Sequence, residues 1–247
     1  MLFMAAVCAP IARAQTNDAI VPVVDEAPTK ANSYNWMDRH NALVARAKQG
    51  HVDLLFVGDS ITHIWGGDVE HPTGGRANDV WTKYYGDRNA FNIGCGWDRT
   101  QHVLWRLEHG EVDGLHPKVA VVLIGTNNVG SNTPDQIVEG VAAIVHTIHD
   151  KSRRTKILLL GIFPRDAKPD TYNRKQVAEI NGKVAAGIKD RYVTYLDIGA
   201  KFLELDGTIS KDTMPDFLHP SHKGYEIWAA EMEPTLAKLL GDKPKSQ

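Results

Sequence analysis

Asp53-Leu54-Leu55-Phe56-Val57-Gly58-Asp59-Ser60 is the stretch that decides the fold. Its middle is uninterrupted apolar sequence. A strand with one wet face alternates polar and apolar residues, whereas a continuous run closed by glycine suits a strand buried on both faces of a parallel sheet. The same pattern returns at Ala90 to Ile93, Lys118 to Ile124, Lys156 to Ile162 and Tyr192 to Asp197. Helical spacing fills the intervals. Asn35 to Gln49 reads as a helix. Thr133-Pro134-Asp135-Gln136 opens another, with Thr as N-cap, Pro at the first helical position and Gln completing a capping box. Ile137, Val141, Ile144, Val145 and Ile148 then share one helical face. Two further helices carry Val177, Ile180, Val184 and Ile188, and Trp228, Met232, Leu236 and Leu239. Buried strands separated by helices predict an α/β fold: a three-layer α/β/α sandwich around one five-stranded parallel sheet.

Composition narrows the function. The chain has 247 residues, 43% hydrophobic and 23% charged, with 21 Gly and 12 Pro. A chain of that length buries roughly 70% of its unfolded surface, enough for a core without covalent staples. The formal net charge of −2 leaves no electrostatic footprint for nucleic acid and no basic face for anionic lipid. Two cysteines exclude a disulfide framework and a Cys-rich metal site. The apolar run Met1 to Ala9, followed by Ala12-Arg13-Ala14, has the form of an export signal cleaved after Ala14. It is too short to span a bilayer, which needs about 20 apolar residues. Cleavage would remove Cys8 and leave Cys95 as the one thiol. The expected organisation is a signal over 1–14, an arm over 15–34, one domain over 35–241 and a frayed tail over 242–247. An exported protein with no internal disulfide fits a bacterial periplasm or exterior.

In an open parallel sheet, chemistry collects at the carboxyl ends of the strands. The first run ends in Gly58-Asp59-Ser60-Ile61-Thr62, where a serine at a strand-to-helix turn can point its hydroxyl into the crevice or merely cap the helix. The second ends in Asn92-Ile93-Gly94-Cys95-Gly96, whose glycines suit close approach of a ligand or a plain turn. The third ends in Gly125-Thr126-Asn127-Asn128, where an asparagine amide can cap a turn or face a developing oxyanion. Near the C-terminus, Asp216-Phe217-Leu218-His219 sets a carboxylate three residues before an imidazole, a spacing that can fix the ring's tautomer. Each signal is weak alone. Their joint order is strong.

With these blocks the sequence resembles the SGNH hydrolases, the GDSL-like lipase/esterase superfamily, over Asp53 to His222. The nearest branch resembles the platelet-activating-factor acetylhydrolase-like group. The similarity rests on Phe56 to Thr62, Asn92-Ile93-Gly94 through Asp98-Arg99-Thr100, Val103-Leu104-Trp105-Arg106-Leu107 and Ile124 to Asn128. The resemblance implies a flavodoxin-like SGNH hydrolase fold and a serine esterase. It implies Ser60 as nucleophile, His219 as base and Asp216 as the group orienting it. The Ser60 and Gly94 backbone N–H groups and the Asn127 amide would form the oxyanion hole. No metal or cofactor enters that scheme. Asp59, Trp65, Trp97 and Arg99 flank these positions and are the candidate substrate contacts. Trp97 stands where many relatives carry a small residue, and serves either as a packing residue or as a platform for a sugar ring.

Other chemistries find little support. The sequence lacks G-x-S-x-G, H-E-x-x-H, Walker A and a complete G-x-G-x-x-G. His146 and His149 lack a third ligand partner, His222 lacks an Asp at matching spacing, and Cys95 reads as a small buried filler. Trp65, Trp97 and Trp105 near the crevice segments suit carbohydrate. The expected substrate is therefore an O-acetyl ester on a saccharide or another small ester. A lysophospholipid or other short-acyl lipid esterase is the alternative, and a non-catalytic carbohydrate-binding protein of the same fold is a second. Acyl transfer would use the same residues, and the oligomeric state stays open.

Overall fold

The computed structural model describes residues 16–31, 33–71 and 74–246. The export signal expected over 1–14 lies outside them. The elements run α1 (Ala27–Lys30), α2 (Trp36–Ala47), β1 (Leu54–Gly58), α3 (Ser60–His63), α4 (Asn78–Tyr85), β2 (Ala90–Asn92), α5 (Thr100–Glu108) and β3 (Val119–Leu123). There follow α6 (Pro134–Lys151), β4 (Lys156–Leu160), α7 (Tyr172–Gly187), β5 (Val193–Leu196) and α8 (His222–Leu240). The strands form one five-stranded sheet in the order β2-β1-β3-β4-β5, and every pairing is parallel.

Strand pleat sorts the side chains into two layers. Leu55, Val57, Ala120, Val122, Ile157 and Leu159 face helices α2, α5, α6 and α7. Leu54, Phe56, Val119, Val121, Leu158 and Leu160 face α4 and α8. This is why β1 reads as an unbroken apolar run: all five of its residues are buried. One expectation needs correcting at the sheet's edge. The run Tyr192 to Asp197 reads as a buried strand, but β5 has a neighbour on one side only and its four residues are half-buried.

Local chemistry sets the helix ends. The Thr133 hydroxyl accepts the Gln136 N–H at 3.3 Å, and the Gln136 side chain accepts the Thr133 N–H at 3.0 Å. Ser221 caps α8 by accepting the Gly224 N–H at 3.1 Å, and Gly241 ends that helix at φ 80°.

The arm and the tail are both more firmly held than the sequence suggests. Ala19 is fully buried, and its carbonyl accepts the Thr100 hydroxyl at 2.8 Å. Beyond α8, Asp242 accepts from Arg88 at 2.9 Å, and the Lys245 N–H donates to Glu233 at 2.7 Å. Residues 242–246 therefore fold back on α8 rather than fray. Cys95 is buried, and burial pushes its thiol up to about 12, so it is the inert filler the sequence suggests.

The chain leaves β1 for β2 on the α4 side and returns over β1 to β3 on the α5 side. The direction of winding therefore reverses between β1 and β3. In open parallel sheets ligands bind at such a switch point, beside the carboxyl ends of the two strands.

Candidate active site

Ser60 is the first residue of α3, directly after β1. Asp59, not Ser60, caps that helix: its Oδ1 accepts the Ile61 N–H at 3.0 Å. Asp59 is 1% exposed, its Oδ2 has no partner, and desolvation pushes its carboxyl up to about 7. Buried in this way it is closed to a substrate, which corrects the expectation that Asp59 is a substrate contact. The Ser60 hydroxyl is free of capping duty and donates to His219 Nε2 at 2.8 Å.

His219 sits on the loop before α8. Asp216 Oδ1 accepts the N–H groups of Leu218 and His219 at 3.1 and 2.8 Å, and its Oδ2 accepts His219 Nδ1–H at 2.7 Å. A positive φ of 59° at Phe217 turns the chain tightly enough for both contacts. Burial raises the Asp216 carboxyl, but the hydrogen bonds from the His219 backbone and ring outweigh it and hold it below the usual range. Asp216 is thus ionised and keeps the imidazole proton on Nδ1, leaving Nε2 as an acceptor for the serine. The pair is partly open to water, with side-chain exposures of 22% for His219 and 49% for Asp216.

The turn after β2 differs from expectation. The Gly94 N–H donates to the Asn92 side-chain oxygen at 2.8 Å, so it is already engaged and is not an open oxyanion donor. Glycine is required there because a Cβ would lie 2.4 Å from the His63 nitrogen. Gly96 also comes close to Ser60: a Cβ there would stand 3.8 Å from Ser60 Cβ. Its N–H donates to His63 Nδ1 at 3.1 Å and its carbonyl accepts Tyr34 O–H at 2.8 Å. Trp97 follows at φ 73°, 53% exposed, and among the described residues its N–H finds no acceptor. Past β3, Asn127 uses one amide hydrogen on the Asp98 carbonyl at 2.9 Å and keeps the other.

Two buried arginines hold this turn from behind. Arg39 Nε and Nη2 donate to the Gly94 carbonyl at 2.9 and 2.7 Å. Arg106 donates to Asp98 at 2.7 Å, to the Ile93 carbonyl at 2.9 Å and to Glu111. Tyr34, Arg39 and His63 escape a reading of single motifs, though His63, three residues after Ser60, lies on the same helical face.

Trp65 is fully buried among Phe56, Trp81, Tyr85, Tyr225 and Trp228, with ring centroids 4.2 to 5.9 Å away, and contributes packing instead of a substrate platform. Trp105 packs on Trp36 and His109, away from the crevice. Arg99 is half-buried at the start of α5, and among the described residues its guanidinium bonds to none of the triad. Of these tryptophans Trp97 is the one that is exposed.

Asp25, Asp98 and His102 come close enough to suggest a cation site. Asp98, however, is already bonded to the Arg106 guanidinium and to Trp36 Nε1 at 2.7 Å each, so a cation would have to displace a built-in charge. His146 pairs with Asp190 at 3.6 Å, His149 stacks on Tyr192, and His222 starts α8 bonded to Asp79 at 2.8 Å.

Comparison with known proteins finds relatives along most of the chain. The family described as GDSL-like lipase/acylhydrolase matches residues 56–227. Platelet-activating factor acetylhydrolase IB subunit alpha2 of Gallus gallus is 35% identical over 213 residues, 86% of this chain and 88% of that protein. The alpha1 subunit of Homo sapiens is 34% identical over 207 residues, 83% of this chain and 84% of that one. Among solved structures, Axe2, an acetylxylan esterase from Geobacillus stearothermophilus, superposes with a TM-score of 0.60 at 19% identity, covering 77% of this chain and 94% of that one. At that identity the likeness speaks for the fold.

Proposed function

The chain belongs to the GDSL-like lipase/acylhydrolase family and is an ester hydrolase, and from that premise we propose that it removes short acyl groups, acetyl first, from carbohydrate hydroxyls through an acyl-Ser60 intermediate. The observation that carries the reading is the unbroken hydrogen-bonded chain Ser60 Oγ–His219–Asp216, partly open to water, with the exposed Trp97 one residue past Gly96. His219 takes the serine proton as Oγ attacks the ester carbonyl. The oxyanion rests on the Ser60 N–H, the unused Asn127 amide hydrogen and the Trp97 N–H, each worth about 3 kcal/mol by analogy with similar donors. His219 then returns the proton to the departing sugar oxygen, and water deacylates Ser60 through the same base.

Acetyl as the acyl group draws support from the relatives, which are platelet-activating factor acetylhydrolase subunits. Those names also keep a short-acyl lipid ester as the second reading. The non-catalytic alternative is set aside, because the family is one of acylhydrolases and the triad is assembled. Export, resting on the apolar run and Ala12-Arg13-Ala14, is part of the same proposal.

Initial rates on p-nitrophenyl acetate, butyrate and octanoate, beside acetate release from acetylated xylan oligomers, test the substrate class. Preference for octanoate with no acetate released from glycan would sink the carbohydrate reading. Trp97→Gly sharpens the test, since glycine tolerates the left-handed backbone while the indole is lost. A stacking contact contributes ~1 kcal/mol, so the ratio of kcat/KM on glycan to that on p-nitrophenyl acetate should fall about fivefold. An unchanged ratio makes Trp97 a surface residue with no part in substrate choice.

A further inference from the structure

We propose that His63 is a positioning residue for the esterase reaction, fixing the Gly96 peptide and through it the Trp97 N–H assigned above to the oxyanion. The role rests on that assignment and deepens it.

The side chains form a closed ring around the turn. Gly96 N–H donates to His63 Nδ1 at 3.1 Å, and His63 Nε2 meets Asp68 Oδ2 at 3.1 Å. Asp68 accepts Arg39 Nη1 at 3.0 Å, and Arg39 returns to the Gly94 carbonyl at 2.7 and 2.9 Å. The charged members are shielded, Arg39 fully and Asp68 with a side-chain exposure of 8%. A backbone N–H can only donate, so Nδ1 must be bare and the ring proton must sit on Nε2, facing Asp68. His63 therefore holds the tautomer opposite to that of His219. Tyr34 seals the other side, its ring edge-on to His63 at 5.4 Å and its hydroxyl on the Gly96 carbonyl at 2.8 Å. Both polar groups of Gly96 are held by side chains, and the free N–H of Trp97 comes next along the chain.

This arrangement needs neutral His63. The groups facing it are Asp68 and Glu70 on the loop after α3, Arg39 on α2 and Tyr34 on the arm. Burial pushes the imidazole down more than Asp68 raises it, which keeps it neutral at pH 7. Protonation in acid would place an N–H against the Gly96 N–H and release the peptide.

Three variants and one spectrum test the role. Ser60→Ala, which must be inactive, establishes the reading beneath it; if that variant keeps activity, the oxyanion assignment and this role fall together. His63→Leu should lower kcat roughly 10- to 100-fold with little change in KM, the effect of a misplaced oxyanion donor. His63→Gln can accept from Gly96 and donate to Asp68, and should recover most of the loss. The acid limb of kcat/KM should approach a second-power dependence on proton concentration in the wild type and become first-power in His63→Gln. Nitrogen-15 imidazole spectra at pH 7 should show His63 protonated on Nε2. A spectrum with the proton on Nδ1 overturns the proposal whatever the kinetics, and so does wild-type kcat in a folded His63→Leu when Ser60→Ala is dead. If His63→Leu does not fold, an acid limb unchanged in His63→Gln overturns it.

Discussion

Ser60→Ala should lower kcat on p-nitrophenyl acetate by roughly 10⁴-fold or more, the scale seen when a triad nucleophile is removed elsewhere. The fold should hardly notice. The hydroxyl bonds to His219 and to no other side chain among the described residues, and the capping of α3 belongs to Asp59. A change on a half-buried surface of this kind stays within about 1 kcal/mol. Loss of turnover with an unchanged thermal midpoint therefore isolates chemistry from folding. A variant that keeps even a tenth of wild-type kcat would mean that another group is the nucleophile.

Arg106→Leu should do the reverse damage, to stability first. Its guanidinium is fully buried between Asp98 and Glu111, both with 0% side-chain exposure, and it also reaches the Ile93 carbonyl at 2.9 Å. Removing one partner strands two carboxylates in the interior, a change that costs about 3–5 kcal/mol. In a chain of this size each kcal/mol moves the midpoint by about 2–4 °C, so Tm should fall on the order of 10 °C. The pH dependence has a definite sign. Burial already pushes Asp98 up to about 6 despite Arg106, and losing the guanidinium pushes it further. A carboxyl raised in the folded state binds its proton more tightly there, so its penalty grows as pH rises from the unfolded value through the folded one. The variant's deficit should therefore be larger at pH 8 than at pH 5. A drop of under 1 kcal/mol, by denaturant titration at pH 8, would show that the carboxylates are satisfied without Arg106.

The two predictions separate what was readable from the chain and what was not. Ser60, Asp216 and His219, which the structure joins by hydrogen bonds, were legible because each follows a local pattern: a strand end, and a carboxylate three residues before an imidazole. The expected roles of Asp59, Trp65 and Gly94 failed for a common reason. Proximity in sequence to Ser60 says nothing about whether a side chain faces solvent or the interior, or whether an N–H is already engaged. Asp59 turned inward to cap α3, Trp65 entered the aromatic layer under α8, and the Gly94 N–H was taken by Asn92 two residues earlier. Trp97, at φ 73°, remains 53% exposed.

By itself the amino-acid sequence determined the layers, the parallel sheet and the order of the reactive blocks, since strand burial and helix spacing are written in local periodicity. Only the tertiary structure decided which N–H groups remain open, which tryptophan meets solvent, and that the arm reaches Gly96 through Tyr34. The contacts that hold Gly96 and that join Ser60 to His219 depend on pairings between residues 33 to 159 positions apart. No local pattern encodes such pairings, because each polar group takes the partner that packing brings within about 3 Å.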